Sequence, residues 1–165
     1  MKTIIPAPPS GDNRERIYNM IKVPIKKLRS EASIPERGSA GSAGYDLCAC
    51  TGRGSVTIPP GGTEMIGTGL SIAVPEGYFG AVFARSGLSV REGLRPANCV
   101  GVCDSDYRGE YIVPLHNDSN TPKTVRDGDR IAQLVIVPFL AVEFDETLAP
   151  DETERGAGGF GSTGR

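Results

Sequence analysis

The sequence predicts an all-β domain, a sandwich or a barrel, on three observations. Glycine (22) and proline (13) together make about a fifth of the 165 residues, and they punctuate short segments where long helices would need uninterrupted runs. Stretches of strand-forming residues alternate with turn signals every ten residues or so, the rhythm of short antiparallel strands. Only one segment, around Arg85-Ser86-Gly87-Leu88, carries a convincing helix signal, and it is a single turn long.

Taken in order, residues 1 to 19 hold Pro6, Pro8, Pro9, Ser10 and Gly11 followed by charged residues, with no apolar periodicity, and read as a mobile extension. A folded domain is expected over 20–145. Ile21 to Leu28 alternates as a strand that Pro24 confines to an edge. The small residues from Gly38 to Gly44 deliver the chain into a strand at Tyr45-Asp46-Leu47. Strands then follow at Ser55 to Ile58, Thr63 to Ile66, Leu70 to Val74 and Tyr78 to Phe83, separated by Pro59-Pro60-Gly61-Gly62 and Pro75-Glu76-Gly77. Asn98 to Asn117 reads as a β-hairpin, with an apolar arm (Cys99, Val100, Val102), a charged tip at Asp104, Ser105 and Asp106, and a return arm from Tyr107 to Leu115. A polar loop, a short strand at Lys123 to Val125, a turn at Asp127-Gly128 and a long apolar run from Ile131 to Phe144, interrupted by Pro138, complete the domain. Residues 146 to 165 turn acidic and then glycine-rich, as a flexible arm.

Composition narrows the function. At this length one domain with a substantial core is expected, yet the hydrophobic fraction is 38% against a usual ~45–50%, which hints at burial shared between subunits. A net charge of −2 argues against sequence-independent binding to nucleic acid, which needs a basic surface. No apolar run approaches the ~18 residues of a membrane span, and the N-terminus lacks a signal peptide's apolar core. The expectation is a soluble intracellular protein of cytoplasm or nucleus, with neither nucleic acid nor membrane as partner. The four cysteines, at 48, 50, 99 and 103, lack zinc-ribbon spacing and read as small buried hydrophobes in a reducing compartment.

Three segments could hold an anion in a chain without excess positive charge. In the tail, Gly156-x4-Gly161-Ser162-Thr163 has the glycine spacing of a phosphate-binding loop. Too few residues follow for the helix that such a loop feeds, so a P-loop nucleoside triphosphatase is not expected. What remains is an arm offering backbone N–H groups, hydroxyls and Arg155 to a polyphosphate, with Phe160 able to stack on a base. Ser86 at a helix start beside Arg85 is a second anion holder. The tip places two carboxylates, a tyrosine and an arginine within five positions; its aspartates alone read equally as metal ligands or as turn residues. Together these parts suit a phosphate-bearing nucleotide.

Five segments in order resemble the motifs of the trimeric deoxyuridine triphosphate nucleotidohydrolase (dUTPase) family: Ala43-Gly44-Tyr45-Asp46-Leu47, Arg85-Ser86-Gly87-Leu88, Gly101 to Gly109, Gly128-Asp129-Arg130-Ile131-Ala132-Gln133-Leu134, and Arg155 to Gly164. Departures are small: Ala84 stands where proline is usual, Ser89 where alanine is common, and Cys103 where an aliphatic residue precedes the aspartate. The resemblance implies a distorted jelly roll of the β-clip type, assembled as a homotrimer with interface active sites and a swapped C-terminal arm. It implies hydrolysis of dUTP to dUMP and pyrophosphate, which keeps uracil out of DNA and supplies dUMP for thymidylate synthesis.

Residue by residue, the resemblance makes Asp104 the general base for a water attacking the α-phosphorus, with Asp106 a support for the turn. Asp46 would hold Mg²⁺ through the ion's water shell. Arg85, Ser86, Gly87 and Gln133 would contact phosphates, and Arg155, Gly161, Ser162 and Thr163 the γ end. Asn98 and Gly101 would read the uracil edge in a hairpin too tight for a 5-methyl group; Tyr107 would pack on the sugar and reject a 2′-hydroxyl; Phe160 would cover the base. The competing readings are a dCTP deaminase of the same fold and a non-catalytic nucleotide-binding trimer.

Overall fold

A computed structural model of the chain describes residues 21–98, 100–146 and 153–159. The expected N-terminal extension therefore lies outside the described residues. The regular structure of the described chain is nearly all β: β1 (Ile25–Lys27), β2 (Glu36–Arg37), β3 (Tyr45–Cys48), β4 (Ser55–Ile58), β5 (Thr63–Gly67), β6 (Leu70–Ile72), β7 (Tyr78–Phe83), helix α1 (Ser86–Glu92), β8 (Leu94–Pro96), β9 (Gly101–Cys103), β10 (Ile112–Asn117), β11 (Lys123–Arg126) and β12 (Arg130–Pro138).

All strand pairs are antiparallel. A five-stranded sheet runs β2-β3-β12-β7-β9, a three-stranded sheet β5-β10-β8, and two ribbons pair β11 with β4 and β1 with β6. The core lies between them and draws from every sheet: Leu47 and Ile131 from the largest, Ile66 and Leu115 from the three-stranded one, Ile58 and Leu70 from the ribbons, all 1% exposed or less. Alternation along β10 sends Val113, Leu115 and Asn117 inward. Asn117 is a fully buried polar group, and its amide is satisfied: Nδ2 donates to the carbonyls of Ile58 (3.0 Å) and Thr121 (2.8 Å), while Oδ1 accepts from the Ser119 N–H and hydroxyl.

Helix α1 is short because its signals are. Arg85 precedes it in an extended conformation, and Gly93, at φ 69°, ends it by returning its N–H to the carbonyl of Ser89 at 3.2 Å. The effect is to place Arg85 and Ser86 at the exit of β7, a central strand of the largest sheet.

The stretch expected as a hairpin is not one. β9 pairs with β7, whereas β10 pairs with β5 and β8, so the two arms enter different sheets. The return arm begins at Ile112, not Tyr107. Residues 104–111 instead form successive turns that cross between sheets, with the Tyr107 N–H donating to the Asp104 carbonyl (3.2 Å) and the crossing pinned at Tyr111 against β6, whose Leu70 carbonyl accepts its N–H at 2.8 Å. The long apolar run also stops as a strand at Pro138; Leu140 and Phe144 beyond it are 81% and 94% exposed in the single chain.

Candidate active site

The side chains expected to meet a nucleotide fall into two groups, each built on a different part of the fold. The first surrounds a cavity of about 300 Å³ under the crossing segment, where Asn98, Gly101, Asp104 and Tyr107 come together with Cys103 and Tyr111. Gly101 leaves little room for a side chain: a Cβ there would sit 3.0 Å from Asn98 Nδ2 and 3.1 Å from Val82 Cβ, so the polar edge of Asn98 lies close over the β9 backbone. Asp104, at the start of the crossing, is solvent-exposed at the cavity.

Two aromatic rings line this pocket. Tyr107 and Tyr111 meet at 6.1 Å between centroids and 52° between planes, a tilted packing favoured by ring quadrupoles. The hydroxyl end of the Tyr107 ring packs against Gly109, where any Cβ would fall 2.6 Å from the ring carbon that bears the hydroxyl. Tyr111 is buried, and its hydroxyl faces the Cys103 thiol without a proper hydrogen bond; burial, then the neighbouring thiol, pushes its pKa well above the usual tyrosine range. Burial likewise raises the Cys103 thiol. The cysteine that replaces an aliphatic residue before Asp104 is thus a protonated, space-filling group.

The second group stands where β3, β12 and the exit of β7 lie side by side. Asp46 is its centre: Oδ1 accepts from Arg85 Nε at 2.7 Å and Oδ2 from Arg130 Nη1 at 3.2 Å. Gln133, directly across from Asp46 in the register, donates from Nε2 to the Ala84 carbonyl at 2.8 Å and so fixes the peptide that carries Arg85. Gly44 makes room for it, since a Cβ there would lie 2.5 Å from Gln133 Oε1. Ser86 and Gly87 open α1, where the leading N–H groups of a helix have no intrahelical partner. Gln133 is therefore committed to holding backbone in this state, a positioning role that the expected phosphate contact did not include.

The two groups open onto different spaces. Arg85 and Arg130 line a separate hollow of about 350 Å³ between α1, β11 and β12, and no residue lines both it and the pocket under the crossing. Of the tail, only residues 153–159 are described: Arg155 Nε donates to the Gly158 carbonyl at 2.8 Å, closing a local turn with Gly156 at φ 48°. Phe160, Gly161, Ser162 and Thr163 lie outside the described residues.

A family model for dUTPase matches residues 30–164. The chain belongs to the dUTPase family. It is 49% identical over 149 residues to the deoxyuridine 5′-triphosphate nucleotidohydrolase of Desulfitobacterium hafniense, covering 88% of this chain and 98% of that one. It is 45% identical over 148 residues to the enzyme of the same name from Corynebacterium glutamicum, covering 89% and 97%. Among solved structures, a mutant dUTPase of Staphylococcus bacteriophage 80alpha with dUpNHpp superposes with a TM-score of 0.80 at 28% identity, over 88% of this chain and all of the other. A dUTPase mutant from phage phi11 of S. aureus, described for its coordination of a structural Mg(II) ion, shares the fold at 24% identity and a TM-score of 0.72, over 80% of this chain and all of that one.

Arg130 is the functional candidate that the sequence hid within a dUTPase-family motif. Three positions from Gln133, it would face the opposite side of a regular strand. The register slips between Arg130 and Ala132, however, so Arg130 stands opposite Cys48 and reaches Asp46 on the same face as Gln133. Asp46 is also the group expected to serve a metal ion. Both its oxygens are engaged by arginines, and among the described residues no cluster of three or more His, Cys, Asp or Glu is placed to hold a metal. That donor set offers no protein cage; Asp46 would hold Mg²⁺ only through the ion's water shell.

Proposed function

We propose that this chain hydrolyses dUTP to dUMP and pyrophosphate, with each active site shared between copies in a homotrimer. The observation that carries this reading is the separation of an aromatic-lined pocket with a carboxylate at its mouth from an arginine cluster of phosphate-binding character, both on one chain of the dUTPase family. A nucleoside triphosphate needs both at once. Assembly brings the pocket of one copy against the arginines of the next, and the exposed apolar residues beyond Pro138, notably Leu140 and Phe144, suit a segment that leaves its own domain to cover a neighbour.

In that site the uracil lies against Asn98 and Gly101 and the sugar against Tyr107. Arg85, with the N–H groups opening α1, receives the phosphates, and Arg130 adds a second cation within reach of the same carboxylate. The Gln133 bond to Ala84 keeps Arg85 from drifting. Asp104 accepts a proton from water as its oxygen bonds to the α-phosphorus; the bond from that phosphorus to the bridging oxygen breaks, and pyrophosphate leaves. Arg155 and the glycine-rich tail close over the γ end and Phe160 over the base, excluding bulk water. Asp46 would hold Mg²⁺ through the ion's water shell, and the ion would neutralise charge on the triphosphate.

The test is pyrophosphate release from dUTP, dTTP, dCTP and UTP, each with Mg²⁺. The expected result is turnover of dUTP alone at a substantial rate. Equal use of dTTP would remove the steric reading of the pocket, and ammonia released from dCTP would show a deaminase instead.

A further inference from the structure

The crossing segment that carries Tyr107 is held by a tie from outside the five motifs. Arg29, one residue before the span matched by the family model, pairs with Glu110 at a separation of 81 residues in the chain. Arg29 Nε also donates to the Cys50 carbonyl at 2.8 Å, and Glu110 Oε1 accepts the Gly69 N–H at 2.8 Å. The pair lies in a cradle of two glycines: a Cβ on Gly67 would meet Glu110 Oε1 at 2.5 Å and Arg29 Nη2 at 2.9 Å and displace the pair, and one on Gly69, whose φ is 69°, would meet Ala32 at 2.8 Å. Flanking bonds complete the tie, from the Thr68 N–H and hydroxyl to the Tyr111 carbonyl (3.1 and 2.7 Å) and from the Ser71 hydroxyl to the Arg108 carbonyl (2.8 Å).

Glu110 is also where the Tyr107 ring is anchored. The Tyr107 hydroxyl donates to the Glu110 carbonyl at 2.9 Å while the hydroxyl end of the ring packs against Gly109, so the position of the ring edge follows the position of residue 110. We infer that Arg29 and Glu110 are positioning residues for sugar discrimination: by fixing residue 110 against the β5–β6 turn they set how closely the Tyr107 ring approaches the 2′ carbon of the nucleotide. Rejection of one added hydroxyl depends on a ring that cannot yield, and freeing residue 110 lets it yield. The inference rests on the proposed sugar contact of Tyr107.

The experiment measures kcat/KM for dUTP and UTP on the full-length parent, Arg29→Met, Tyr107→Leu and the double variant. Methionine keeps much of the arginine stem but drops both donors. Arg29→Met is expected to lower the dUTP-over-UTP ratio on the order of tenfold, the scale of a displaced contact, chiefly through KM, with kcat for dUTP little changed. Because the tie acts through Tyr107, the double variant should have the same ratio as Tyr107→Leu alone. Arg29→Lys, which retains the charge, should recover part of the ratio. A folded Arg29→Met with the parental ratio overturns the inference, as does an additive loss in the double variant. If Arg29→Met does not fold, Glu110→Gln reads the same ratio by the same criterion. Should Tyr107→Leu leave the ratio untouched, the sugar contact fails and the inference with it. A parent that releases no pyrophosphate from dUTP refutes the proposed activity itself.

Discussion

Asp46→Asn tests whether the carboxylate organises the arginine cluster. The change keeps the side-chain shape and one oxygen acceptor but removes the charge that faces two guanidinium groups. The bond to Arg85 is short, at 2.7 Å, and both side chains are largely shielded, at 24% and 20% exposure. A hydrogen bond between charged partners in such a setting contributes about 1.5–3 kcal/mol. The contact to Arg130 is longer, at 3.2 Å, and Arg130 is 58% exposed, so it adds only a few tenths of a kcal/mol. Allowing for the bond an asparagine retains, the loss is about 2 kcal/mol, or about 4–8 °C in melting temperature for a chain of this size. Circular dichroism melts at pH 7 and equal protein concentration would measure it. Most of the deficit should persist in 1 M salt, because the Arg85 share is shielded while the Arg130 share is screened. A melting temperature within about 1 °C of the parent, or a deficit that salt abolishes, would show that Asp46 holds neither arginine in solution.

The remaining expectations are briefer. Asp104→Asn should bind dUTP and keep its fold but turn over ~10²–10⁴-fold more slowly, the usual loss for a positioned base; near-parental kcat would remove it from the chemistry. Deleting residues 155–165 should leave a folded protein with much poorer turnover, and an unchanged rate would leave the tail without a part in catalysis. Asp127 receives the Thr51 N–H and hydroxyl and the N–H groups of Gly52 and Gly54, and the Thr51 N–H first among these holds its carboxyl below the ordinary aspartate value. A depressed folded pKa contributes stability above the unfolded value and loses it as pH falls through the folded one. Asp127→Ala should therefore cost about 1 kcal/mol at pH 7, discounted for exposure, and less in strong acid, where the neutral carboxyl is the weaker acceptor; a deficit of equal size at both pH values would contradict that linkage.

What the sequence makes legible is whatever is decided within a few residues. The bounds of β4, at Ser55–Ile58, are readable because glycine and proline turns flank its strand-forming residues on both sides, and the start of β7 at Tyr78 because Pro75-Glu76-Gly77 precedes it. The helix start at Ser86 is readable from Arg85-Ser86-Gly87-Leu88 following directly on a strand. The pairing of β9 is not: Gly101 to Cys103 would fit a hairpin partner equally well, and β7 wins through contacts some twenty residues away in sequence. Arg130 is hidden because one slip of register reverses the face on which a strand residue stands, and nothing in Arg130-Ile131-Ala132 announces the slip. Arg29 is hidden more deeply, since its partner is 81 residues distant and its neighbourhood has no pattern to flag it. The site residues were found by motif, the groups that steady them only by geometry.

The division of one chain into a base pocket and a phosphate cluster leads to a test of assembly that no single variant offers. Asp104→Asn should disable the pocket, and Arg85→Gln, which keeps a donor for Asp46, the phosphate side; each variant alone should be nearly inactive. If every site combines the pocket of one copy with the arginines of another, co-refolding equal amounts of the two variants creates sites in which neither defect is present. With random mixing, a site needs an intact pocket from one chain and an intact cluster from its neighbour, each with even odds, so about a quarter of parental activity returns. If pocket and cluster served the same site from within one chain, each site would carry one defect or the other whatever the mixture, and activity would stay at the level of the separate variants. Recovery near a quarter and no recovery are far apart, so pyrophosphate release from the mixture decides between a shared site and a self-contained one.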